Sequence, residues 1–138
     1  MCRNRWVITF AGWKDQVPEL IFATIPDENA TGVEKRYEPF IQYLAKQLGV
    51  PVKLRIANDY AAVIEGQRAG NIHIGMYGPA SYARAYLVGA QIEPFAIEVN
   101  GDGTKGYHSV LYVKKDSSYQ KIEDLKGKNL CLVDPNST

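Results

Sequence analysis

Two adjacent hydroxyls, Ser137 and Thr138, stand directly after Asp134-Pro135-Asn136, which itself follows the apolar run 130–133. The run has the composition of a short buried strand. Pro135 ends it, because its ring fixes φ and it has no N–H to give to a sheet. Two O–H donors at a strand-to-helix junction, with the first N–H groups of a helix pointing the same way, suit a phosphate-like anion. The plainer reading of such a pair is an ordinary helix N-cap, and taken alone it is the preferred one.

Tyr60, Tyr77 and Tyr107 also fall at strand ends or helix starts, and Tyr82 lies a turn further on. A phenol offers one O–H donor and an aromatic wall. Half-buried packing is the commoner fate of any one tyrosine, but three at ligand-side positions shift the balance. Gly78 lets a ligand approach the backbone. Catalytic chemistry is poorly supported. His73 lies within an apolar run and reads as a satisfied core histidine, and His108, after Tyr107, has a weak claim to approach a ligand. No His, Cys or carboxylate pair has metal-ligand spacing, and no nucleophile elbow is present. Residues 101–106 have the glycine spacing of a phosphate loop, but Tyr107-His108 stand where Lys and Ser/Thr belong, so a flexible linker is the better reading. No enzyme activity, metal or cofactor is expected.

The elements that must position these residues follow an α/β rhythm. Strands are expected at 19–25, 50–57, 72–76, 92–99, 107–114 and 129–133. Helices are expected at 33–48, 60–69 and 79–88, with a helical turn at 122–125. The first helix carries Val33, Tyr37, Phe40, Ile41, Leu44 and Leu48 on one face. Thr31 with Glu34 fits a capping box after a loop at 26–32, and Pro39 implies a kink or a true start near Glu38. Asp59 can cap the second helix, and Pro79 takes the favoured first position of the third. Alternating strands and helices specify a parallel sheet, whose ligands sit beyond the carboxyl ends of the strands. The informative loops are then 58–60, 77–81 and 134–138.

The totals agree with one globular domain. The chain has 138 residues, 46% of them hydrophobic and 22% charged, enough to bury a core. A net charge of +1 without a basic tract gives nucleic acid no footprint. No apolar run approaches the roughly 20 residues of a membrane span. Cys131 reads as a buried thiol and Cys2 lies in a tail, so no disulfide framework is expected. Residues 1–17 carry Arg3 and Arg5 before a short apolar stretch and read as a degenerate leader or a disordered tail.

Three segments in order, Asn58-Asp59-Tyr60-Ala61-Ala62-Val63-Ile64-Glu65-Gly66, Tyr77-Gly78-Pro79-Ala80-Ser81-Tyr82, and Gly106-Tyr107-His108-Ser109-Val110-Leu111 continuing to Asp134-Pro135-Asn136-Ser137-Thr138, resemble the phosphate/phosphite/phosphonate-binding protein family. Its members are the solute-binding components of bacterial ABC importers. The resemblance runs from about Leu20 to Thr138. It implies an α/β, type II-like periplasmic-binding-protein fold, with 1–18 a tail, 19–101 the first lobe, and 102–138 the crossover and beginning of a second lobe. It further implies that Tyr60 and Tyr107 line the cleft, that Ser137 and Thr138 hold the oxyanion, and that Tyr77 and Gly78 border it. The ligand would be a small tetrahedral oxyanion (phosphonate, phosphite or phosphate), and the further partner an ABC permease. The parent protein would be periplasmic or anchored at the cell surface. The family's motif continues into a helix and most of a second lobe, so the chain is expected to be an N-terminal fragment. The alternative is a ligand-sensing domain of a signalling protein with the same fold.

Overall fold

β1, Leu20–Thr24, is the central strand of the molecule, with a parallel neighbour on each side. A computed structural model of the chain describes residues 12–25 and 30–137. β1 pairs with β2, Val52–Ile56, from Leu20↔Val52 to Thr24↔Ile56. Its other edge pairs with β3, Ile74–Gly75, through Phe22↔Ile74 and Ala23↔Gly75. The order β2-β1-β3 leaves a topological switch at β1, and all three strands end on the same edge of the sheet.

The alternation along β1 sorts its side chains between two layers. Leu20 and Phe22 pack with Val50 and Val52 under Tyr37, Ile41, Leu44 and Leu48 of α2, Ala30–Leu48. Ala23 turns to the other face, where it joins Ala57, Val63 and Ile72, with Ile21, Ile25 and Tyr77 against them. Val63 and Ile64 belong to α3, Tyr60–Arg68. Ile64 continues into a third cluster with Ala85 of α4, Pro79–Leu87, and with Ala90. Phe22 carries the first layer: its ring meets Tyr37 at 5.7 Å between centroids and Phe40 edge-on at 5.5 Å.

Several expectations are corrected. α2 begins at Ala30, which puts Thr31 inside the helix instead of at its cap, and residues 26–29 of the expected loop lie outside the described residues. α2 runs unbroken through Pro39. Pro39 and Lys35 are both exposed, so the carbonyl that loses its helical donor there is open to hydration. Trp13–Gln16 forms a single helical turn, α1, where a tail was expected, and Val17 packs on the first core cluster. Residues 1–11 lie outside the described residues.

The larger correction concerns the chain beyond Ile92. The strands expected at 92–99, 107–114 and 129–133 are not formed among the described residues. A strand exists only beside a neighbour that takes its N–H and C=O groups, and here none lies alongside. Their apolar side chains are exposed, up to 88% at Tyr112 and 90% at Val133. Cys131 is exposed with them, not buried. The helical turn expected at 122–125 is present as a 3₁₀ turn, Ile122–Leu125.

The Gly-rich loop also differs from a flexible linker. Asn100 N–H donates to the Thr104 carbonyl at 2.9 Å, and Gly103 N–H to the Asn100 carbonyl at 2.8 Å. Asp102 Oδ1 accepts from both the N–H and the hydroxyl of Thr104, at 2.9 and 2.7 Å. Gly103 takes φ of +84°, which a side chain would resist, and so closes the turn. Among the described residues no helix is long and apolar enough to cross a membrane.

Candidate functional site

The site is built at the carboxyl edge of the sheet, where β2 leads into α3 and β3 into α4. Asp59 caps α3, its Oδ1 accepting from Ala62 N–H at 2.7 Å. That cap places Tyr60 at the first position of the helix, on the ligand side of the strand ends. It also puts a carboxylate on the positive end of α3 and satisfies one of its free N–H groups. α4 differs. Its N-cap is Gly78, its first turn holds no acidic residue, and Pro79 sits at its start. The cap turn is closed from within: Gly78 N–H donates to Ser81 Oγ at 3.0 Å, and that hydroxyl donates to the Gly78 carbonyl at 3.1 Å. Ser81 is fully buried. Of the two helix starts at this edge, α3 is capped by a carboxylate and α4 by a glycine, with no acidic residue in its own first turn.

The terminal turn is brought to the same place. Asp134 organises it, its Oδ1 accepting from Asn136 N–H at 2.6 Å and from Asn136 Nδ2 at 3.2 Å, while Ser137 N–H donates to the Asp134 carbonyl at 3.0 Å. Ser137 Oγ then lies 3.4 Å from Tyr60 Oη, a contact between residues 77 apart in which either hydroxyl can donate. Behind this pair a cleft of about 120 Å³ is lined by Ala61, Ile64, Glu65, Arg84, Val88 and Asn136. The turn is thus seated against both α3 and α4.

The sequence-predicted residues fare differently. Tyr60 and Ser137 are brought together. Gly78 is the N-cap of α4. Thr138 lies outside the described residues. Tyr107 is 65% exposed and bonds to no described residue. Tyr77 has its hydroxyl committed elsewhere: it donates to Gln67 Oε1 at 2.6 Å. Burial pushes the Tyr77 phenol up to about 12, so it is a neutral donor at any physiological pH. Gln67 was invisible to sequence reasoning, since a glutamine late in a helix carries no signal of its partner.

His73 is exposed instead of lying in the core; its ring Nδ1 accepts from Ile21 N–H at 3.0 Å, while its backbone N–H donates to the Ile21 carbonyl at 3.0 Å. The imidazole therefore stands in for a ladder carbonyl beside the short strand β3. Among the described residues no three His, Cys, Asp or Glu side chains gather into a metal site.

The Tyr60 and Ser137 hydroxyls and the start of α4 thus lie at the carboxyl edge of a parallel sheet. The family model for the phosphonate periplasmic substrate-binding protein of ABC transporters matches residues 22–138. The chain belongs to that family. The phosphate-import protein PhnD of Mycolicibacterium smegmatis is 38% identical over 124 residues, covering 88% of this chain and 39% of that protein. The phosphonates-binding periplasmic protein of Escherichia coli is 38% identical over 129 residues, covering 91% of this chain and 38% of that protein. A solved binding-protein component of an ABC phosphonate transporter from Pseudomonas aeruginosa matches with a TM-score of 0.71 and 34% identity, over 78% of this chain and 35% of that one. The family's α/β fold is therefore present here in part, and the chain spans under two fifths of the length of these relatives.

Proposed function

We propose that this chain forms one wall of an oxyanion site in the solute-binding component of an ABC import system, and that the guest is a phosphonate, phosphite or phosphate. The observation that carries the reading is the approach of Tyr60 and Ser137 across 77 residues of sequence at the carboxyl edge of the sheet. A tetrahedral anion accepts from both hydroxyls more strongly than either accepts from the other, because a charged acceptor roughly doubles the strength of a hydrogen bond. The start of α4 at Gly78, whose first turn contains no acidic residue, adds its dipole. No Lys or Arg has to touch the guest, since donors and dipoles converging on one point hold an anion by themselves.

Tyr107 and Thr138 complete the proposed cage, with Tyr77 bordering it through its ring. Residues 19–101 act as the first lobe and 102–138 as the crossover into a second, so that closure buries the guest and the closed form docks on a permease. The phosphate-import protein among its relatives supports transport over the signalling alternative, and the phosphonates-binding periplasmic protein supports a periplasmic or surface-anchored location. Nothing in this scheme requires a bond to break.

Titration of the ¹⁵N-labelled 138-residue chain with methylphosphonate, phosphite and phosphate tests the reading. Saturable shifts at the Tyr60, Ser81 and Ser137 amides are expected, with half-saturation at roughly millimolar ligand, about −4 kcal/mol. Tyr60→Phe should weaken binding about threefold to tenfold, the worth of one hydrogen bond. Absence of saturable shifts with all three anions would falsify it.

A further inference from the structure

We propose that Gln67 is a positioning residue for this oxyanion site and that it acts through Tyr77. The inference rests on the oxyanion reading above and adds to it a residue that touches no ligand. Tyr77 joins β3 to the N-cap of α4, and its hydroxyl donates to Gln67 Oε1, late in α3, at 2.6 Å. Its ring packs against two core clusters, the one under β1 and the one between α3 and α4. The bond therefore fixes the strand-to-helix junction against α3 at a point between both clusters.

The approach depends on Gly75. A Cβ there would lie 3.0 Å from Gln67 Oε1, 3.0 Å from the Tyr77 ring and 3.2 Å from Val63 Cγ1. The missing side chain is what lets the amide and the phenol meet over β3. From Tyr77 the constraint passes directly to Gly78, whose N–H and carbonyl are both held by the buried Ser81 hydroxyl. Tyr82 N–H donates to the Gly78 carbonyl at 2.9 Å and closes the first helical bond. A change at Tyr77 is therefore transmitted to the first turn of α4, whose dipole points to the proposed site. The same bond turns the Tyr77 O–H away from the anion, so that the ring serves as wall and not as donor. Holding donors in place before the ligand arrives lowers the ordering cost of binding.

The test uses the 138-residue chain in four forms: wild type, Gln67→Leu, Gln67→Glu and Tyr77→Phe. Amide hydrogen exchange of the ligand-free chain and titration with methylphosphonate are the two readouts. Gln67→Leu and Tyr77→Phe are expected to speed exchange at Gly78 and Tyr82 roughly tenfold while the β1 amides keep their wild-type rates, a local opening and not a global loss of stability. Both should weaken methylphosphonate binding about threefold to tenfold, the range of one hydrogen bond. Gln67→Glu keeps an acceptor oxygen and should restore both properties. Unchanged exchange at Gly78 and Tyr82 in Gln67→Leu overturns the role, as does acceleration there that merely parallels β1. Equal methylphosphonate affinity in wild type and Gln67→Leu overturns the role and leaves the oxyanion reading standing. No binding by wild type overturns the oxyanion reading and this role with it.

Discussion

The segment 20–90 and the segment 92–137 carry similar apolar patterns and reach different ends. In the first, Phe22 is 2% exposed and its alternating neighbours on β1 are divided between two helical layers. In the second, Phe95, Ile97 and Val99 alternate just as cleanly and all three are exposed. The difference lies in partnership. β1 is flanked by β2 and β3 and covered by α2 and α3, so every element of its pattern has something to answer it. The later runs have neither a ladder neighbour nor a covering helix among the described residues. Alternation declares which face a strand would bury, but burial itself is a contact between two elements.

The largest effect that would sharpen this contrast is on stability. Phe22→Ala should destabilise the α/β unit by about 3–5 kcal/mol, through lost burial and the cavity left under α2. Tyr112→Ala, an aromatic truncation of similar size in the exposed region, should change it by less than about 0.5 kcal/mol. Urea unfolding followed by circular dichroism measures both, and a comparable cost at Tyr112 would break the comparison.

Ionisation offers a smaller contrast between the same regions. Tyr77, half-buried between α3 and α4, has its phenol pushed up to about 12 by burial. Because the folded value lies above that of the unfolded chain, the contribution is fully present below pH 10 and fades as pH rises from 10 to about 12. Absorbance at 295 nm should resolve one tyrosine titrating near the top of that window, and Tyr77→Phe should remove that step. A step that persists in Tyr77→Phe belongs to another residue and defeats the assignment.

The smallest effect belongs to the exposed turn at 100–104. Hydrogen bonds from Thr104 hold the Asp102 carboxyl below its ordinary value of 3.8. A depressed folded value stabilises the turn above pH 3.8, and the effect disappears as pH falls through the lower folded value. The Thr104 amide resonance should therefore move with a midpoint below 3.8, and Asp102→Asn should abolish that movement while leaving β1 unaffected. A midpoint at or above 3.8 would show that the two bonds do not hold in solution.

Much of the first region was legible in the residues. The face of α2 from Val33 to Leu48, the Asp59 cap, Pro79 at the start of α4 and the parallel α/β rhythm are local signals, and each was read from spacing or residue type. The resemblance of three short segments sufficed to name the family. Of the site residues that the resemblance implied, the structure brings the Tyr60 and Ser137 hydroxyls to 3.4 Å of each other. Tyr77 was read for its position, yet the destination of its hydroxyl was not, because a hydrogen bond to Gln67 depends on how closely α3 approaches β3 over Gly75. Cys131 and His73 sit in apolar sequence and lie exposed, since an apolar neighbourhood in sequence does not bring a second layer over it.

The sequence by itself determined which helix faces are apolar and where α3 and α4 begin, because those depend on φ preferences, caps and periods within a few residues. The tertiary structure decided which apolar runs became strands, which tyrosine hydroxyl remained beside Ser137 and which was tied to α3. Those outcomes depend on distances between residues far apart in the chain, and such distances are set only when packed layers meet.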